Sequence, residues 1–566
     1  MRVRFRRNVA TGDLVIVSSV VLDFRCILGA GHIPVNVGWA ILGPTRAESE
    51  PDKMLERTYE LLIPCLRAMN RPLFVMAFVF LLLGCATKTN AANAEDGRVA
   101  DFHIKVESLS PPRLVIEGEL VEPSQKWSFR KTYGGLLALG DRIENLTLSD
   151  SHGKSVEVRR IAPGEYSAAA PASRFRYEVK LDPPGRSEDA PFVSWLTADR
   201  GVLMPADLLP ALTAPTRPGQ TVVLSFELPQ QWLVSSVEKS ISSTQFSLND
   251  PDTAVFFTSR DLQRRTVQVK GMELTFAASG QWVVSPDDLM VMTKSIMETH
   301  ANTMGGVPGE RALVILSPFP KPESPQRWSA ETRGSTVFLL AGLQPAKTAA
   351  LVQLSLPLTH ELFHLWVPNG LALEGDYDWF YEGFTIYQAL RAAQRLNLVT
   401  FQDLLNAVGR AADTYSSSET GASLSLIDAS QRRWTTNPAV VYQKAMVVAF
   451  LYDLTLRIHT GNKRSLEDVY REVFRRHRAG LPRAQGNEAV IEALSRMSGM
   501  EDFASRYVRA PVRLELAHLL ARFGLRVESF GMRTMITVSP DLNREQRDLL
   551  RRLGYNSETR GSRNNH

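Results

Sequence analysis

Apolar residues along this chain fall into three rhythms. Between Leu73 and Leu83 they run unbroken. From 101 to 229 they alternate with polar residues, as in Phe102-His103-Ile104-Lys105-Val106 and Phe175-Arg176-Tyr177-Glu178-Val179. A period of two predicts half-buried strands, and Pro111-Pro112, Asp150-Ser151-His152-Gly153 and Pro183-Pro184-Gly185 supply the turns between them. Residues 101–229 are therefore expected to form a β-sandwich-like N-terminal domain. From 230 the rhythm is mixed. Strands are predicted at 253–258, 266–269, 311–317 and 335–341, and a helix at 286–303, opened by Ser285-Pro286-Asp287. Leu354, Leu358, Leu362 and Leu365 recur at helical spacing, with Pro357 suited to a first turn and Pro368 as a stop. A second helix is predicted from Asp378, as its cap, to Leu396. Beyond Asn397 the chain reads as helical, with helices at 445–458, from Ser465 with a capping-box signature, and at 487–497 before Gly499. Residues 415–421 read as a polar loop.

The candidate chemistry falls within the mixed region. His360-Glu361-Leu362-Phe363-His364 is an HExxH sequence. Residues four apart share one helix face, so both imidazoles can reach one metal ion. Glu382 lies in the second helix, eighteen positions after His364. Two imidazoles, one carboxylate and a position left to water make the ligand set of a catalytic zinc site. His360, His364 and Glu382 are thus the predicted ligands of one Zn²⁺. Glu374, Asp376 and Asp378 are competing third ligands in the polar connection. Glu361 projects away from the line of the histidines and suits a general base, because zinc brings the pKa of water from ~16 toward ~7. Strands followed by two metal-bearing helices predict a thermolysin-like α+β domain over 230–400. In such a domain the strand before the first helix lines the cleft as an edge, and 335–340 is the candidate.

HELFHLW followed by WFYEGFTIY resembles the M61 peptidases, the glycyl aminopeptidase family of gluzincins, distant relatives of the M1 aminopeptidases. Val441-Tyr442-Gln443-Lys444-Ala445 adds to the match, with Ala445 where the family usually has Gly. These blocks cover roughly 300–475. The resemblance implies a zinc peptidase, of aminopeptidase type, acting on peptides through metal-activated water. It also implies that Tyr442, sixty residues past Glu382, stabilises the oxyanion. In the M1 relatives a Glu near the position of Glu331 holds the substrate amine. The M61 pattern there has a His that this chain lacks, and a loop Glu beside Arg333 is the plain alternative. Thr385 suits either helix packing or ligand orientation. An endopeptidase with the same site, and an inactive binding protein on a peptidase fold, are the alternative functions. The helical region is expected at 401–511, and 512–566 holds room for one hairpin and one helix but no full PDZ domain.

The unbroken run fits a signal peptide at 69–85. Eleven apolar residues are too few for a bilayer span, where about 20 are needed, but match an h-region behind Arg71. Leu82-Leu83-Gly84-Cys85 resembles a lipobox, so Cys85 is the expected lipidation site and 86–100 a tether. The alternative is a plain signal peptide cut near Asn90. Residues 1–68 are expected to be a non-native extension upstream of Met69. The chain is then predicted to be exported to the bacterial envelope and attached to the membrane by lipid. Cys26, Cys65 and Cys85 are the only cysteines of 566 residues. The body after Cys85 therefore has neither a disulfide nor a thiol nucleophile. A net charge of +5 without a polybasic block argues against a nucleic-acid partner.

Overall fold

The computed structural model describes residues 97–211, 220–418, 423–435, 438–531 and 533–556. The predicted extension, the signal peptide with Cys85, most of the tether, the end of the 415–421 loop and the end of the C-terminal tail lie outside them. Among the described residues no helix is long and apolar enough to cross a membrane.

The alternating N-terminal segments form a nine-stranded sheet. Its long central strands are Arg98–Leu109, Pro112–Ser128 and Glu165–Lys180, paired antiparallel. Strand pairing crosses the boundary expected at 229: Gln245–Leu248 joins the sheet through Thr221–Glu227. A four-stranded sheet follows, with Phe256–Ser259 beside Arg200–Leu203. The two sheets share one apolar core, in which Phe102, Ile104 and Tyr177 meet Leu203 and Phe256. Period-two burial of one face of each strand removes these side chains from water, which drives the packing.

The next sheet has five strands in the order Gln263–Val269, Met272–Ala278, Arg311–Pro318, Thr336–Ala341, Trp328–Arg333. Its three inner strands are nearly continuous apolar runs, as strands covered on both faces must be. The predicted edge strand is therefore central. Thr336–Ala341 is buried throughout, and the polar segment Trp328–Arg333, where a loop is the plain alternative for Glu331, is the edge.

Helix Pro286–Met304 starts as predicted. The Ser285 hydroxyl accepts from the Asp288 N–H, Pro286 occupies the first turn, and Gly305 at φ 80° ends it. Helix Lys347–His364 begins earlier than expected, so Pro357 lies inside it rather than in its first turn. The second predicted helix starts as a π-helical turn, Trp379–Phe384, that runs into helix Thr385–Arg395. Asp378 makes no cap hydrogen bond there, because its carboxylate is drawn to a distant arginine described below. A second π-helical turn, Val440–Lys444, leads into helix Ala445–His459. The last described elements are helix Leu516–Ala521, the paired strands Leu525–Phe530 and Arg533–Val538, and helix Arg544–Arg552.

Candidate active site

Helix Lys347–His364 is braced from behind. His300 Nε2 lies 2.8 Å from the Thr359 carbonyl, and the Trp366 indole donates to the Gly306 carbonyl. This holds His360 and His364 on one face, with their Nε2 atoms 3.0 Å apart. Glu382 Oε2 lies 3.6 Å from each of them. Ligand atoms of a tetrahedral zinc at about 2.0–2.1 Å are roughly 3.3 Å from one another, so this N, N, O set fits such an ion. His364 Nδ1 donates to the Val367 carbonyl at 2.9 Å, which makes Nε2 the atom that would ligate a metal once the ring gives up its second proton.

Glu361 also brings an oxygen within 4.8 Å of the two imidazoles. Its Oε2, however, accepts from the Thr332 hydroxyl at 2.7 Å. That contact turns the carboxylate toward the edge strand and suits a base better than a ligand. Of the competing acids, Glu374 is exposed, and Asp378 is committed to Arg433 at 2.7 Å. Burial alone would lower the His364 pKa. The Glu382 and Glu361 carboxylates outweigh it and hold the imidazole up at about 9. Burial would raise Glu382, but His360, His364 and Arg433 outweigh it and hold the carboxyl well below its usual range.

Glu382 and Tyr442 sit on the two π-helical turns, which touch. Gly383 permits the approach, since a Cβ there would come within 2.6 Å of the Val441 carbonyl oxygen. Burial, reinforced by Glu382, pushes the Tyr442 phenol well above its ordinary value, so it is a neutral donor. Arg433 reaches both residues: it donates to Glu382 Oε1 at 2.9 Å and to the Tyr442 oxygen. Thr385 bonds the Phe380 carbonyl, a contact within its own helix.

These groups open into a cleft of volume ≈ 1570 Å³. Glu331 lines it from the edge strand, and Tyr133 from the N-terminal region donates to Glu331 Oε1 at 2.6 Å. Tyr133 and Leu136 close a tight hairpin whose tip, Gly134-Gly135, has positive φ at both residues. The Arg333 guanidinium lies 4.1 Å from the centre of the Tyr133 ring. Burial pushes the Glu331 carboxyl up to about 7, against the pull of Tyr133 and Arg333. Sequence reading did not find Tyr133, Thr332 or Arg433. Alternation in Trp328-Ser329-Ala330-Glu331-Thr332-Arg333 is a signal that could have given the strand and hence Thr332; no local signal marks the other two.

No family model matches the chain, and no curated protein matches it. Among solved structures it is similar to an aminopeptidase N family protein from Idiomarina loihiensis. The two share 17% identity and a TM-score of 0.66, over 76% of this chain and 79% of that one. An M1 zinc metallopeptidase from Deinococcus radiodurans aligns at 16% identity and a TM-score of 0.48, over 74% of this chain and 95% of that one. The protein thus has the mixed α/β multidomain fold of aminopeptidase N family structures.

Proposed function

We propose that the protein is a zinc-dependent aminopeptidase of the M61 type. One observation carries the reading: two imidazole nitrogens and the Glu382 carboxylate face one another at 3.0 and 3.6 Å, with Glu361 beside them on an open cleft. His360, His364 and Glu382 would hold one Zn²⁺. Bound there, the metal supplies a Lewis acid that polarises a peptide carbonyl and acidifies water. Glu361, held by Thr332, takes the proton of the attacking water and returns it to the leaving amine. The Tyr442 hydroxyl donates to the carbonyl oxygen as negative charge builds there, a contact worth about 3–4 kcal/mol when made only in the transition state. Glu331 faces the cleft as a half-buried carboxyl that a substrate's α-ammonium can pair with, which favours an aminopeptidase over an endopeptidase. Export and a lipid anchor at Cys85 in the bacterial envelope complete the proposal, supported by the apolar run 73–83 and the Leu82-Leu83-Gly84-Cys85 sequence.

The test compares peptides with free and acetylated N-termini on zinc-loaded protein and on Glu361→Gln. The expected result is turnover of free peptides only, and a variant that keeps its zinc while losing roughly 10³-fold in rate. Full activity of Glu361→Gln removes that residue from the mechanism. Equal cleavage of acetylated peptides overturns the aminopeptidase assignment.

A further inference from the structure

Arg433 belongs to no sequence motif, yet its side chain is only 13% exposed. It lies on the connection between helix Leu426–Gln431 and the π-helical turn that carries Tyr442. Both arms of its guanidinium point into the site. Nη1 donates to Asp378 Oδ1 at 2.7 Å and to the Tyr381 hydroxyl at 3.3 Å. Nη2 donates to Glu382 Oε1 at 2.9 Å and to the Tyr442 oxygen. The Trp434 ring covers the guanidinium at 4.6 Å.

A guanidinium has donors and no acceptor. At Tyr442 the phenol oxygen therefore accepts, and its own proton must point elsewhere. Tyr442 lines the cleft, and the Glu382 carboxylate is the acceptor beside its O–H, so a group bound in the cleft would draw that proton from Glu382. At Glu382 the same arm occupies Oε1 and leaves Oε2 as the oxygen 3.6 Å from both imidazole nitrogens. Asp378 holds the opposite arm, so the planar fork cannot rotate away. A lysine has one nitrogen and cannot span these acceptors.

We propose that Arg433 is a positioning residue that sets two parts of the site at once. It restricts Glu382 to one ligating oxygen, and it holds the Tyr442 oxygen at the cleft with the phenol proton directed away from the guanidinium. The inference rests on the zinc peptidase reading of the same site, and deepens it by coupling metal binding to the oxyanion donor.

The experiment uses Arg433→Lys and Arg433→Met, each with and without Tyr442→Phe, in the full chain. Zinc affinity is read by chelator competition and kcat and KM on zinc-saturated protein. Both Arg433 variants are expected to bind zinc 10–100-fold more weakly. Once saturated they lose kcat with little change in KM. Tyr442→Phe, costly in the parent, then costs at least tenfold less in either Arg433 background, a loss that mere destabilisation would not produce. Arg433→Lys retains the buried charge and so keeps the test open if Arg433→Met fails to fold. Unchanged zinc affinity and a full Tyr442→Phe penalty in Arg433→Lys overturn the proposal. A parent that binds zinc but turns over no peptide, while Arg433→Lys still weakens zinc, sinks the peptidase reading and leaves the Glu382 contact standing.

Discussion

Thr332 shows how one hydroxyl can orient the carboxylate proposed as the base. Its Oγ1 lies 2.7 Å from Glu361 Oε2 and 3.0 Å from the Glu361 carbonyl oxygen. An ionised carboxylate only accepts, so this contact fixes one Glu361 oxygen and leaves the other to face water in the cleft. Valine has the shape of threonine without the donor. Thr332→Val is therefore expected to lower kcat by roughly 10-fold or more, since a hydrogen bond to a charged group is worth about 1.5–3 kcal/mol. Zinc content and melting temperature should stay near the parent's, and Thr332→Ser should recover most of the rate. Steady-state kinetics with metal analysis reads this directly. An unchanged kcat in Thr332→Val would make the contact one of strand packing alone. The residue was legible in principle. It sits in a polar stretch that alternates, but a loop fitted the polarity as well, and only the pairing with Thr336–Ala341 makes it an edge strand.

At the scale of elements, the two π-helical turns bring together what the linear spacing kept sixty residues apart. A π-turn widens the helix by one residue and often marks a functional site. Here the widened turns meet at Gly383, where a Cβ would also come within 2.9 Å of the Met446 amide. Backbone atoms cannot yield as a side-chain tip can, so Gly383→Ala must push the turns apart. The expected cost is about 1–3 kcal/mol of stability, typical of overpacking, with a drop in kcat beyond it because Glu382 and Tyr442 separate. Adding Ala445→Gly should not restore activity, because the Val441 carbonyl still blocks the Cβ. Chemical denaturation and kinetics on both variants check this; a fully active Gly383→Ala would show the turns free to slide. Helical periodicity made His360, His364 and Glu382 readable, as their chemistry depends on spacing within two helices. It placed the start of the first helix too late, because Pro357 looked like a first-turn residue and instead sits mid-helix. Asp378 looked like a cap, and nothing in Gln431-Arg432-Arg433-Trp434 marks Arg433 as its partner. Their pairing spans fifty-five positions of sequence, and no local pattern encodes a contact of that range.

Over the whole molecule, the N-terminal sheets are built into the region that carries the candidate site rather than attached to it. A third apolar core joins Trp195, Val202 and Phe257 of the four-stranded sheet to Leu313, Ile315, Phe338 and Leu340 of the five-stranded one. Those last four are at most 1% exposed. Polar contacts follow the same seam: Ser329 donates to the Glu188 carbonyl, and Tyr133 reaches Glu331 across it. A chain starting at residue 260 would turn the four apolar side chains to water. At about 1.5–3 kcal/mol each, the loss is on the order of 6–12 kcal/mol, comparable with the roughly 5–15 kcal/mol that holds a whole domain folded. Residues 97–566 are accordingly expected to melt in a single calorimetric transition, with the van't Hoff and calorimetric enthalpies equal. The chain from 260 onward should be insoluble, or compact with bound hydrophobic dye and no sharp transition. A truncated chain that melts cooperatively and binds zinc as tightly as the full one would show instead that the seam contributes little. The N-terminal sheets would then matter through the cleft residues they carry, Tyr133 among them, and substituting Tyr133 in the full chain would reproduce part of the activity loss that the truncation causes.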